Sequence, residues 1–401
     1  MTGTGPDRRT RADVVVVGAG VVGLCAAREA AALGLSVVVC DPEPAGGASF
    51  AAAGMLAPTA EARPGEQRLH ALAESSAAAW PEFAARLEEQ SGVAVGLRQE
   101  GALSVAFDPD DLRALAEVVD VQISMGCKAE LLGARECRRL EPALSPRVTG
   151  GAFNPGDNQV DTRAVLRALL ACLDHAGVTM LAESALRLVV QGGRALGVET
   201  RTGHLVEAGT VVLAAGCRSG ELAGLQPDEV PPVRPVKGQI LRLQTNPDEP
   251  LLTRTVRAEV QGRHVYLVPR LHGELVVGAT MEELGHDTTV TAGAVHDLLR
   301  AALAAVPDVA EASLSEATAR SRPGTPDNGP LIGHGLTEGL LVATGHFRHG
   351  VLLAPATSAA LSELMQGRPV SGPAAAFPAL RFAAAGPANA AVAGPGHEGT
   401  V

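Results

Sequence analysis

Residues 13–41 read DVVVVGAGVVGLCAAREAAALGLSVVVCD. Val14–Val17 is an unbroken apolar run, typical of a strand buried on both faces. Gly18, Gly20 and Gly23 follow at G-x-G-x-x-G spacing. Val21–Leu33 then reads as a helix ended by Gly34, and Leu35–Cys40 as a second buried strand closed by Asp41. The spacing therefore predicts a β-α-β unit. A pyrophosphate is met by free N–H groups and the positive end of a helix dipole, provided that no side chain blocks its approach. The three glycines meet that condition. Asp41 stands 18 residues after Gly23, near the spacing of a carboxylate that accepts a ribose hydroxyl.

Upstream, residues 1–12 are polar and expected to fray. Arg8, Arg9 and Arg11 imitate the basic flank of a signal peptide, but a secretory segment has no use for the glycine spacing. No later stretch of ~18 apolar residues escapes charge or turn signals, so a soluble, cytoplasmic protein is expected. Over the 401 residues, 33 basic against 44 acidic side chains leave a net charge of -11, and aromatics are 2%. Neither a nucleic-acid backbone nor stacked bases suit that surface. The six cysteines form no C-x-x-C pair and have no zinc-like histidine spacing, so they read as buried thiols and no metal is expected.

Downstream, Gly46–Pro58 is a small-residue loop, and Gln67–Gln90 a helix expected to break or kink at Pro81. Alternating segments at Ala102–Phe107, Ile240–Leu243, His264–Val268 and Leu275–Met281 predict an antiparallel sheet, the last two as a hairpin around Leu271–Glu274. Asp161 caps a helix running to about His175, with Gly177 just past its end. Thr210–Leu213 and Leu340–Ala343 are further buried strands, and Leu353–Met365 is a helix. Parallel-sheet elements near residues 14, 36, 211 and 341 are thus scattered, with antiparallel material between them. The expected architecture is α/β: an FAD-binding, Rossmann-like, doubly wound domain (13–90, 151–222 and 323–370) interleaved with an antiparallel-sheet substrate domain (91–150 and 223–322). Residues 1–12 and 383–401 are expected to be disordered.

The break in alternation after the second strand favours FAD over a nicotinamide cofactor. A second hint is Gly345–Gly350 (GHFRHG), which leads into a helix. Amides and a positive dipole end there would stabilise the negative charge of a reduced flavin.

These motifs, with the loop GASFAAAGMLAP (47–58), RPVKGQ (234–239), HVYLVPR (264–270), VVGATME (276–282), SRPGTPDNGPLIG (321–333) and GHFRHGVLLAPAT (345–357), resemble the flavin-dependent D-amino-acid-oxidase superfamily. Within it the chain is most similar to the branch that oxidises glycine and serves thiamine biosynthesis. The resemblance implies non-covalent FAD, a small amino-acid substrate, dioxygen as acceptor and a homotetramer. To the fingerprint residues Gly18, Ala19, Gly20, Val22 and Gly23 it adds Asp41 and Pro42 at the adenosine end and Leu186 near the adenine. It puts Ala48, Ser49, Ala53, Gly54 and Met55 beside the flavin, Gly216 at a strand end, and His346, Phe347, Arg348, His349, Gly350, Val351 and Leu352 along the ring. Arg322 and Arg348 match its substrate arginines, and His264, Tyr266 and Met281 its small cavity. No cysteine follows Cys217, so a covalent flavin tether in the last third of the chain is excluded.

Amine oxidation needs the substrate's Cα–H aimed at the flavin, and a bidentate guanidinium fixes a carboxylate for that purpose. Arg322 is the expected clamp, and Arg348 assists it or closes the cavity. His264 and Tyr266, two apart in a strand, share a face. For Lys237 a structural or flavin-side hydrogen bond and a catalytic duty are both open readings. The competing readings are a sarcosine or D-amino-acid oxidase or dehydrogenase, a flavin-binding protein without oxidase activity, and a nicotinamide dehydrogenase.

Overall fold

The computed structural model describes residues 8–260 and 262–383. What the sequence suggests for residues 1–7 and 384–401 lies outside the described residues. β1 (Arg9–Val17) pairs in parallel with β2 (Val37–Cys40) and β11 (Leu205–Leu213). Beyond these lie β8 (Thr179–Leu181), parallel to β2, and β18 (Leu340–Thr344), parallel to β11. β17 (Leu331–His334) closes one edge antiparallel to β18. The four scattered parallel-sheet segments are therefore consecutive neighbours, in the order β18-β11-β1-β2.

Successive residues of a strand point to opposite faces, and β1 buries both. Val14 and Val16 enter a core with α1 (Val21–Ala32), α3 (Gln67–Ser91), α6 (Thr162–His175) and α8 (Ala354–Met365). Val15 and Val17 enter a second core. It is covered by β9 (Ala185–Gln191) and β10 (Arg194–Thr200), which join the sheet through β11. The apolar run at 14–17 is thus explained by burial on both sides.

The second sheet has the order β16-β12-β15-β14-β13-β4-β6-β5. Its strands are β4 (Ala102–Ala106), β5 (Glu130–Gly133), β6 (Gly150–Asn154), β12 (Arg234–Gln244), β13 (Thr255–Val260), β14 (Arg263–Pro269), β15 (Glu274–Gly278) and β16 (Ser313–Gly324). β14 and β15 form the expected hairpin. The expectation of an antiparallel sheet needs one correction, because β13 runs parallel to β4. On one face Leu241, Leu243, Leu267 and Val277 pack against α7 (Ala292–Ala305). The alternate residues Ile240, Tyr266, Val268 and Val276 meet Ala51 and Ala53 from the small-residue loop.

That loop contains α2 (Ala48–Ala51) and β3 (Met55–Leu56), the latter paired with β7 (Asn158–Gln159). α4 (Pro109–Ser124) is capped by the Asp108 carboxylate and is followed by α5 (Ala134–Leu140). Asp161 caps α6 as expected, accepting from the Arg163 and Ala164 N–H groups.

Two local expectations need correction, the fraying up to residue 12 and the break of the helix at Pro81. β1 starts at Arg9 because Arg9–Ala12 continue in register with Leu205–Ala208. α3 runs through Pro81 unbroken. An internal proline costs ~3 kcal/mol, but around it Trp80, Phe83, Ala84 and Leu87 are all buried. Trp80 also donates Nε1–H to the Leu352 carbonyl at 3.0 Å. Tertiary packing outweighs the local penalty. Among the described residues, no helix is long and apolar enough to cross a membrane.

Candidate active site and nucleotide cleft

A cavity of about 1550 Å³ opens between the two sheets. At one end it is walled by Gly18, Gly20, Val22, Asp41 and Pro42. Along its middle run Ala48, Ser49, Ala53, Gly54, Met55, Gly216 and residues 346–352, and Tyr266, Met281 and Arg322 close the far end.

The three glycines do different work. Gly18 has φ +104, and a Cβ there would lie 2.4 Å from the Ala214 carbonyl oxygen. A Cβ on Gly23 would lie 1.9 Å from the Gly18 oxygen, so this glycine sets how closely α1 packs on the turn. Gly20 is unlike either, since the only atom near its missing Cβ is Ser49 Oγ, at 3.4 Å. That hydroxyl accepts from the Val21 N–H at 3.0 Å. No acidic side chain stands in the first turn of α1, so an anion meets amides and no opposing charge. Asp41 accepts from the Ala19 N–H at 2.6 Å and the Glu43 N–H at 2.8 Å. Each carboxylate oxygen keeps a further lone pair for a sugar hydroxyl. The volume exceeds the ~300–1,000 Å³ of ordinary ligand pockets. A dinucleotide with a small substrate beside it fits these residues.

Three cofactor residues expected from the sequence are not on the wall. Ala19 is buried and acts through its N–H, and Gly23 faces the turn. Leu186 points away on β9 and is 37% exposed, while Ser184 and Ala185 line the cavity in its place. Two cysteines do line it, Cys40 and Cys217, and burial pushes each thiol up to about 12. Neither is a thiolate at neutral pH.

At the far end Arg322, on β16, lies opposite Val236 and over Gly238, where a Cβ would meet its Nη1 at 2.4 Å. Its Nη1 donates to the Thr280 carbonyl at 3.2 Å. Tyr266 is held in the same way, because a Cβ on its partner Gly278 would lie 2.5 Å from the phenol oxygen. Burial pushes the Tyr266 hydroxyl up, while Arg322 and Arg257 pull it down. His264 shares that face but is largely exposed, with Nδ1 3.8 Å from Glu259. Met281 is 67% exposed. Both belong to the rim.

Arg348 is paired in a way the sequence did not suggest. Its Nη2 lies 3.4 Å from Glu61 Oε2, and Arg257 Nη2 lies 2.9 Å from Glu61 Oε1. Burial alone would raise the Glu61 carboxyl, but Arg348, Arg257 and His349 together hold it well below the usual carboxylate range. Burial would lower Arg257, and Glu61 more than offsets that. Both residues line the cavity, and neither carried a motif. Beside them burial pushes His346 down to about 3 and His349 down to about 4, so both are neutral. Lys237 lies off the wall, fully buried, with Nζ 2.6 Å from Asp287. Glu282 lies 3.9 Å from the same Nζ.

A family model described as FAD dependent oxidoreductase (DAO) matches residues 13–364. The bifunctional protein ThiO/ThiG of Trichormus variabilis is 33% identical over 356 residues, covering 88% of this chain and 52% of that protein. The chain thus spans about half the length of such two-part relatives. A glycine oxidase of Bacillus licheniformis is 32% identical over 368 residues, covering 90% of this chain and 95% of the relative. The crystal structure of glycine oxidase from Geobacillus kaustophilus matches with a TM-score of 0.84 at 30% identity, covering 92% of this chain and 99% of that one. The mixed parallel and antiparallel α/β architecture expected from the sequence is that of this relative.

Proposed function

The chain belongs to the DAO family of FAD-dependent oxidoreductases, and on that premise we propose that it oxidises glycine, and other small amines such as sarcosine or D-alanine. The product is the imine, which water hydrolyses to glyoxylate and ammonia unless thiazole synthesis for thiamine takes it first. Bound FAD supplies the two-electron acceptor, and its reoxidation by dioxygen yields hydrogen peroxide. Gly18, Gly20 and the start of α1 would hold the pyrophosphate, Asp41 the ribose, and Ala48–Met55 with residues 346–352 the ring. FAD is held without a covalent bond in this reading, as the resemblance of the sequence implies. The first sheet with its helices serves as the FAD-binding part, in the segments 13–90, 151–222 and 323–370. The second sheet, from 91–150 and 223–322, serves the substrate.

The observation that carries the reading is Arg322 beside Tyr266 in the cavity wall. The guanidinium clamps the substrate carboxylate through two parallel hydrogen bonds, and the phenol limits how the small amine turns. Arg348 stays with Glu61, so it shapes the wall's charge and leaves the clamp to Arg322. Oxidation of a neutral amine needs no strong base, in keeping with two neutral buried histidines and an exposed His264. The rest of the reading is a cytoplasmic homotetramer. Six free thiols, five of them buried, suit a reducing compartment.

A peroxide assay over glycine, sarcosine and D-alanine tests the proposal. Turnover of glycine with peroxide release supports it. Reduction of a dye without peroxide would make the protein a dehydrogenase, and no turnover of any of the three would end the reading.

A further inference from the structure

His70 and Glu74, one turn apart on α3, meet Cys127 just past the end of α4. Cys127 Sγ lies 3.4 Å from His70 Nε2, and Nε2 lies 3.5 Å from Glu74 Oε1. All three donor atoms fall within 4.8 Å of one another. We propose that His70, Glu74 and Cys127 form a site for a thiophilic divalent cation of the zinc type, with water as the fourth ligand.

The geometry carries this. Zinc bonds of ~2.3 Å to sulfur and ~2.0 Å to nitrogen or oxygen, at tetrahedral angles, separate neighbouring donors by roughly 3.3–3.6 Å. The two distances here lie in that range. His70 Nδ1 lies 3.3 Å from the Pro58 carbonyl, which holds the ring proton on Nδ1 and leaves the Nε2 lone pair facing the thiol and the carboxylate. Metal-binding histidines are oriented in the same way. A ring lone pair, a thiol and a carboxylate converging on one point are the donor set a bound cation takes. Sulfur as the third donor selects a soft metal over magnesium or calcium. His70 and Cys127 are buried, whereas the Glu74 side chain is 49% exposed. Glu74 therefore marks both the entry path and the place for water. On binding, the thiol proton leaves to solvent.

No motif marks this site, because Cys127 and His70 are 57 residues apart. Its position also suggests what it does. Glu117, Val118 and Val121 of α4 line the cavity, and Gln122 donates to the Thr59 carbonyl at 3.0 Å, two residues before Glu61. An ion joining α3 to the end of α4 clamps that wall.

The FAD-loaded protein titrated calorimetrically with zinc ion tests the site, with cadmium NMR reporting the ligand type. One equivalent should bind, with a cadmium resonance in the range of sulfur ligation. Cys127→Ser should weaken binding by about 100-fold or more, and the surface change Glu74→Gln by about 10-fold. The proposal fails if wild type takes up no zinc, if Cys127→Ser binds it equally well, or if the cadmium shift shows oxygen and nitrogen alone. Should Cys127→Ser not fold, unchanged affinity in Glu74→Gln overturns the site by itself.

Discussion

Arg348 and Glu61 are joined by a 3.4 Å ion pair, and Arg257 holds the other carboxylate oxygen of Glu61 at 2.9 Å. One anion from the small-residue loop region thus ties a strand of the second sheet to the turn before α8.

Glu61→Gln leaves two guanidiniums facing each other without an anion. Breaking a buried pair costs ~3–5 kcal/mol. These side chains keep 13–25% exposure, so a loss of roughly 2 kcal/mol is expected, read from denaturant midpoints at constant m. The folded Glu61 carboxyl titrates below its unfolded value. Its contribution is therefore complete above the ordinary glutamate range and is lost as pH falls through the folded value. The mutant should lose less stability in acid than wild type does.

Arg322→Ala should retain FAD and lose about 100-fold or more in kcat/KM, since the substrate carboxylate would then be desolvated without a partner. A loss below about tenfold in steady-state assays would remove Arg322 from the clamp. Arg348→Ala should behave differently. It frees Glu61 and should disturb stability together with activity.

Much of this was legible in the sequence, and what escaped did so for physical reasons. The glycine spacing and the apolar run at 14–17 encode local geometry, a turn and a doubly buried strand, and they read correctly. Asp161 announced its helix by the same kind of local chemistry. Glu61 and Arg257 could not be found in that way. Their partnership joins residues 196 apart, and a lone charged residue in a loop or strand carries no periodic signal. β13, which bears Arg257, carries no legible strand signal, because Thr255–Val260 mixes charged with apolar residues. Pro81 misled for the opposite reason, since its local penalty is real but is outweighed by the burial of Trp80 and Phe83.

Gly20→Ala and Gly23→Ala should separate cofactor binding from folding. A Cβ at Gly23 would strike the Gly18 carbonyl at 1.9 Å, whereas one at Gly20 meets only a hydroxyl at 3.4 Å. Gly23→Ala should lower Tm strongly in the FAD-free protein. Gly20→Ala should leave that Tm nearly unchanged and weaken FAD binding, as flavin fluorescence on titration would show.

His346 and His349 are pushed down by burial to about 3 and about 4. The unfolded chain takes up their protons near the ordinary histidine value of ~6.5. Each therefore makes stability fall as pH drops from about 6.5 toward its folded value, with a limiting slope of roughly 1.4 kcal/mol per pH unit. His349→Gln should flatten the stability profile over that window, and an unchanged profile would show that His349 does not contribute.

The most direct test of the central claim is the visible spectrum of the purified, FAD-loaded protein mixed with glycine in the absence of oxygen. Loss of the yellow flavin absorbance within a single turnover, restored by air with release of peroxide, is the predicted result. A spectrum unmoved by glycine, sarcosine or D-alanine at any concentration would contradict the account.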